Sequence, residues 1–195
     1  AGARLQALLT GLRSEGFVEG KNLELLSPAD GDHDVSLDKS GRFFVDTWST
    51  PDTPPTTMLR DASGADVLPL EQADITRRFA TGWQPPQRIT VKARDGETDL
   101  HGLMFKPTSF DATKRYPIIN NVYPGPQTGN VGSRQFAAAR GDTQALAELG
   151  FIVVQIDGMG TANRSKAFHD VAYKNLGDAG FPDRIIWHRA VAAKY

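Results

Sequence analysis

The sequence contains no cysteine. Disulfide staples, thiol nucleophiles and thiolate metal sites are therefore excluded. It has no apolar run approaching the ~20 residues of a helical membrane span, and its mean hydropathy of -0.37 is that of a chain that lives in water. An excess of one charge is missing too. The 22 Lys and Arg against 23 Asp and Glu leave a net charge of -1, so neither nucleic acid nor an anionic membrane is an expected partner. The first residues lack a basic start and a long apolar stretch, so no signal peptide is visible. The chain opens on Ala1 rather than Met, which leaves room for a removed leader and keeps both periplasmic and cytoplasmic locations open.

Several motifs of chemistry are absent as well. Gly-x-Ser-x-Gly occurs nowhere, so the serine elbow of an α/β-hydrolase is lacking. Gly132-Ser133 does not complete it, because Arg134 and Gln135 follow. Gly158-Met159-Gly160 continues with Thr161, Ala162 and Asn163 and lacks the third Gly of a dinucleotide fingerprint. The acidic run Asp30-Gly31-Asp32-His33-Asp34 would need a Gly and a Glu where Val35 and Gly41 stand to form a calcium loop. It reads as a solvated turn. No metal and no cofactor is expected.

What is present divides into three stretches. Residues 1–28 carry Leu5, Leu8, Leu9 and Leu12 on one helical face, with Gly16 and Gly20 as stops. The segment Leu9 to Asn22 is similar to the opening helix of some periplasmic substrate-binding proteins. An irregular outer strand is the alternative. Residues 23–75 read as β. Short strands at Leu23 to Leu26, Asp34 to Leu37, Phe43 to Trp48, Thr57 to Arg60 and Val67 to Leu70 alternate with turns ending in Gly41 and Gly64. Strands at this spacing suggest one four-stranded propeller blade. A lone blade cannot bury both faces, which points to a missing N-terminal portion or a covering partner.

Beyond the Pro85-Pro86 linker the pattern changes to α/β. Arg88 to Ala93 and Leu100 to Phe105 flank the hairpin signal Asp95-Gly96. Tyr116 to Tyr123 and Phe151 to Ile156 read as buried strands. An Ala-rich helix over 134–149, stopped by Gly150, lies between them. A further helix is expected from Pro182 to Lys194. Together these form the first half of an α/β-hydrolase sheet. The expected boundaries are 1–83 for the blade-like segment and 84–195 for the half-hydrolase. Trp48, Trp83 and Trp187 are expected as core or interface anchors, with Trp83 pinning the two parts together.

The most informative stretch is Tyr116-Pro117-Ile118-Ile119-Asn120-Asn121-Val122-Tyr123-Pro124-Gly125-Pro126. A buried strand ends abruptly in a Tyr and a Pro-Gly-Pro turn, and chemistry in open α/β sheets collects at such carboxyl ends. A phenol hydroxyl there can donate to a developing oxyanion, a role worth about 2.7–4 kcal/mol of barrier. The alternative is a Tyr that only caps its strand.

With Asp157-Gly158-Met159-Gly160-Thr161, Arg164 to Tyr173 and Asn175-Leu176-Gly177-Asp178, this stretch resembles the prolyl oligopeptidase family of serine peptidases, and more closely its dipeptidyl-peptidase IV-like branch. Ser36 to Val45 likewise resembles a blade signature of that family's propeller. The resemblance covers about residues 27–195. It implies a serine exopeptidase that removes dipeptides through an acyl-enzyme, with a peptide as substrate. It assigns Tyr123, in the family's Tyr-x-Gly-Pro turn, as an oxyanion donor. The family's Asp-Gly-Arg-Gly turn has Met159 in place of Arg, and Arg164 is the candidate replacement cation. His169-Asp170 is not the triad pair, because the family's triad histidine follows the serine. His169 is expected as a structural or surface residue. The nucleophile, acid and base all fall past residue 195, so the isolated chain is expected to be inactive. The family's substrate-amine glutamates have no counterpart here, which leaves the substrate-binding residues unknown. Two other readings stay open: a non-catalytic binding or assembly module that self-associates through uncovered faces, and an esterase or amidase with an unrecognised site.

Overall fold

The computed structural model describes residues 14–16, 31–122, 126, 127, 129, 131, 135–162 and 164–195. Leu5 to Leu12, the segment to Asn22 apart from residues 14–16, and the strand expected at Leu23 to Leu26 lie outside the described residues.

Two four-stranded sheets follow one another along the chain. The first is a meander of β1 (Asp32–Leu37), β2 (Phe43–Thr50), β3 (Thr53–Asp61) and β4 (Asp66–Gln72), antiparallel throughout. Its turns form where the sequence places glycine. Gly41 and Gly64 sit at φ +68° and +85°, a region that residues with a Cβ avoid. The carboxylates Asp38 and Asp61 cap these turns by accepting from Ser40 and Ser63. The centre of the sheet is polar. Buried Asp46 accepts from Arg60 Nε at 3.0 Å and pairs with His33 Nδ1 at 2.8 Å, which ties β1, β2 and β3 together. The outer strands leave apolar side chains in solvent: Val35 and Leu37 on β1, and Val67, Leu68 and Leu70 on β4.

The second sheet has the order β5-β6-β8-β7. β5 (Gln87–Lys92) and β6 (Asp99–Phe105) form an antiparallel hairpin, turned at Gly96 with φ +75°. β8 (Ile152–Ile156) lies antiparallel to β6 and parallel to β7 (Ile118–Asn120). Every residue of β8 is buried, Gln155 included, as expected of a largely apolar strand covered on both faces. Ile152, Val154 and Ile156 pack with Leu100 and Met104 against Trp187, Val191 and Phe168. Val153 packs on the other face with Leu103, Phe105 and Ala147.

Four short helices complete the described fold: α1 (Thr76–Phe79), α2 (Thr143–Glu148), α3 (Lys166–Asp170) and α4 (Phe181–Ala192). The connection β7-α2-β8 joins two parallel neighbours. Gly150, at φ +96°, stops α2 as expected. The Ala-rich helix expected over 134–149 is otherwise corrected: among the described residues it begins only at Thr143. Arg140 and Gly141 have φ of +43° and +62°, which a right-handed helix cannot contain. Tertiary bonds also override the local propensity upstream. The Phe136 N–H donates to Ser49 Oγ at 3.0 Å and the Ala138 carbonyl accepts from Arg78. The strand expected from Tyr116 narrows to Ile118–Asn120. Pro117 brings no N–H to a ladder, and the Tyr116 hydroxyl instead accepts from the Asp111 N–H at 2.8 Å. The last helix runs Phe181–Ala192 rather than Pro182 to Lys194.

Trp83 is buried where the two sheets' segments meet. Its ring lies under the Arg78 guanidinium at 4.4 Å and against Phe79 and Phe136. Its indole N–H donates to Gln144 Oε1 at 3.2 Å, and Gln144 in turn donates to the Lys106 carbonyl. An Arg88–Asp52 ion pair of 2.5 Å adds a direct link between β5 and the β2–β3 turn.

Candidate functional site at the ends of the parallel strands

β7 and β8 run in the same direction, so their carboxyl ends lie side by side. Asn120 and Asn121 close one and Asp157 the other. Asn121 stays attached to the sheet after β7 ends: its N–H donates to the Val154 carbonyl at 2.9 Å and its Nδ2 to Thr143 Oγ1 at 3.1 Å. Tyr123, Pro124 and Gly125 lie outside the described residues, as does Ser133. Pro126 is described. Its carbonyl accepts a hydrogen bond from His169 Nε2 at 3.0 Å.

Asp157, the residue that follows β8, has a specific partner. Its Oδ1 accepts from the Val131 N–H at 2.9 Å. Gly129 passes so close that a Cβ there would lie 2.8 Å from Asp157 Oδ2. Gly129 and Val131 are thus held against the end of β8. Arg140 fastens the same limb, donating from Nη1 to the Val131 carbonyl at 3.0 Å and from Nη2 to the Gln135 carbonyl at 2.6 Å.

The turn after Asp157 is organised by Asp183, a residue the sequence reading did not single out. Asp183 is fully buried in the first turn of α4. It accepts from the Met159 N–H at 2.9 Å, the Arg94 N–H at 3.1 Å, Arg94 Nε at 3.1 Å and Arg94 Nη2 at 2.8 Å. The β5–β6 turn, the β8 turn and α4 therefore meet on one carboxylate. These hydrogen bonds raise Arg94 above its usual pKa.

Arg164 donates to the Asp99 carbonyl at 2.9 Å and lies over the Phe168 ring. Arg184 on α4, 4% exposed and 3.5 Å from Asn120 Oδ1, is a buried cation near the end of β7. Burial pulls its pKa below the usual arginine value, while Asp157 and Asp183 act in the opposite direction. The one signal available beforehand was its place beside Pro182-Asp183 at the start of a helix. His169, expected as structural or surface, is about half exposed and holds Pro126. His33 turns to Asp46 rather than into the acidic run. Between the sheets lies a cleft of about 300 Å³, lined by Thr50, Pro51, Arg88, His101, Gly102 and Val131.

Comparison with known proteins bears on this arrangement. Residues 137–195 match the family model described as the prolyl oligopeptidase family. Dipeptidyl peptidase 8 of Mus musculus is 26% identical over 173 residues, which cover 84% of this chain and 19% of the relative. A probable dipeptidyl-aminopeptidase B of Trichophyton verrucosum is 28% identical over 176 residues, covering 86% of this chain and 19% of the relative. A crystal structure assigned as a dipeptidyl aminopeptidase IV from Bacteroides ovatus is 31% identical with a TM-score of 0.73, over 85% of this chain and 24% of that one. The chain belongs to the prolyl oligopeptidase family. Within that family it lies with the dipeptidyl peptidases. Dipeptidyl peptidase 4 of Porphyromonas gingivalis, at 23% identity and a TM-score of 0.66, shares the fold over 84% of this chain and 23% of its own. The chain spans about one fifth of the length of the curated relatives it matches.

Proposed function

We propose that this chain is a segment of a dipeptidyl-peptidase-type serine exopeptidase. In this reading, residues 1–83 hold a propeller-blade-like segment and 84–195 the N-terminal half of an α/β-hydrolase domain. The substrate is a peptide, cleaved through an acyl-enzyme. The contribution of these residues is Tyr123, the oxyanion donor. One observation carries the reading. Among the described residues the second sheet has one parallel pair, β7 and β8, whose carboxyl ends lie side by side with Asp157 following β8, and Tyr123 follows the last residue of β7 by three positions in the sequence. The carboxyl ends of parallel strands are where an open α/β sheet concentrates its chemistry.

Because Gly-x-Ser-x-Gly is absent from the 195 residues, the chain alone turns over no peptide in this reading. Without nucleophile and base, only the small residual effect of binding and oxyanion stabilisation is left. An assay of the isolated chain with a dipeptidyl chromogenic substrate tests this. Turnover that titrates with a serine-directed phosphonate sinks it. In the protein made from its natural gene, Tyr123→Phe is expected to lower kcat by about 100- to 1,000-fold, the loss typical of one oxyanion donor.

A second reading, a non-catalytic assembly module, draws on the apolar side chains exposed along β1 and β4, with Leu37 at 73% exposure. Uncovered strands of this kind favour self-association. Light scattering that finds a folded monomer at all accessible concentrations counts against it.

A further inference from the structure

We infer that a pocket beside Lys106, at the amino end of β8, binds a small organic carboxylate with an apolar body, whether or not the peptidase reading holds. β6 runs antiparallel to β8, with Gly102 opposite Ile156 and Phe105 opposite Val153. Lys106 follows Phe105, so it stands at the opposite end of β8 from Asp157. A pocket of about 390 Å³ opens there, within the range of roughly 300–1,000 Å³ usual for small-molecule sites. Pro85, Met104, Pro107 and the Phe110 ring give it apolar walls, and Lys106 and Gln87 bring polar groups to it.

Lys106 is a cation held in place. Its ammonium lies 4.4 Å from the centre of the Phe110 ring and 4.3 Å from that of Tyr195. Phe110 is fixed in turn by stacking on Tyr116, with centroids 5.1 Å apart. Two ring faces steady an otherwise flexible side chain and take away part of its water. Among the described residues no carboxylate pairs with Lys106, whose hydrogen bond goes to the Tyr195 hydroxyl at 3.2 Å. An ammonium only donates, so the phenol accepts from it and gives its single proton to Gln87 Oε1 at 3.1 Å. Gln87 is then left with its NH2 group to offer, and Lys106 with two further N–H donors. Glu148, the acidic residue at the Thr108 rim, is occupied by the Thr108 N–H and hydroxyl and by Gln144. A fixed positive charge beside apolar walls is complemented by an anion with an apolar body. One ammonium and one amide match the single charge of a carboxylate, whereas a phosphate dianion would be left short of donors.

The test titrates the protein made from its natural gene with 4-phenylbutyrate in a calorimeter, beside the uncharged 4-phenylbutyramide. The acid is expected to bind with a Kd of about 1 mM or below, as a well-seated ligand of its size does. The amide should bind at least about tenfold more weakly, the share of one charge-assisted hydrogen bond. Lys106→Met keeps an apolar stem against the two rings and loses the charge, so it should weaken the acid by about tenfold or more. Gln87→Glu sets a carboxylate beside Lys106 and should weaken the acid at least as much. Gln87 is exposed, so this variant decides the matter even if Lys106→Met fails to fold. Inorganic phosphate at equal concentration should not displace the acid. A Kd above about 1 mM, equal affinity for acid and amide, displacement by phosphate, or unchanged affinity for the acid in a folded variant overturns the inference.

Discussion

Replacing Asp183 should be among the most damaging changes in the described part of this protein. Its side chain is wholly out of solvent, and four N–H donors converge on it: three from Arg94 and one from Met159. Removing one partner of a buried ion pair typically costs 3–5 kcal/mol. Here the Arg94 side chain keeps 32% exposure, so water can take up part of the orphaned charge. That places Asp183→Ala at the lower end, about 3 kcal/mol. Asp183→Asn is the sharper probe. It preserves volume, but an amide has one acceptor oxygen and one NH2 group. Either orientation turns the NH2 toward N–H donors, so Asn should cost at least about 2 kcal/mol. Urea unfolding followed by tryptophan fluorescence measures both. The cycle with Arg94→Ala should be strongly non-additive, since the second change removes the charge that the first orphaned. A loss below about 1 kcal/mol for Asp183→Asn, or simple additivity in the cycle, would refute the claim that this carboxylate joins three elements.

Three other outcomes follow from the same structure. Gly102→Ala should destabilise by about 1–3 kcal/mol or more, read by urea midpoint, because the new Cβ would lie 2.6 Å from both Ile156 Cγ2 and Trp187 Cζ2. His188 is held below its usual pKa by burial and by Arg184. The unfolded chain therefore binds the proton more readily, and stability should fall as pH drops through about 6.5. His188→Gln should flatten that slope in a series of Tm values. Asp38 and Asp95 are each lowered to about 2 by the side-chain and backbone hydrogen bonds of their turns. Their contribution is complete above the usual carboxylate range and disappears as pH falls from about 4 towards 2. Carboxyl NMR titration should place both midpoints well below those of ordinary aspartates.

Much of the fold was legible because its signals are local. The turns at Gly41, Gly64 and Gly96 and the stop at Gly150 require positive φ, and glycine announces that in one letter. β8 was readable as an apolar run broken only by Gln155, and the β5–β6 hairpin from Asp95-Gly96. The Ala-rich stretch misled because its helical preference is small beside the bonds that Ser49 and Arg78 make to it from distant positions. The site was less legible for the same reason. Arg184 carries no motif that marks it, yet α4 buries it beside Asn120 at the end of β7. Asp183 offered no local motif, since its partners lie 24 and 89 residues away.

That separation of 89 residues between Arg94 and Asp183 has a temporal side. At synthesis rates of roughly 5–20 residues per second, the first hairpin of the second sheet waits on the order of 5–18 seconds for the carboxylate that seals its bend. Until then a guanidinium and two backbone amides stay hydrated at the place where helix α4 must dock, and the nascent sheet is open to holdase chaperones.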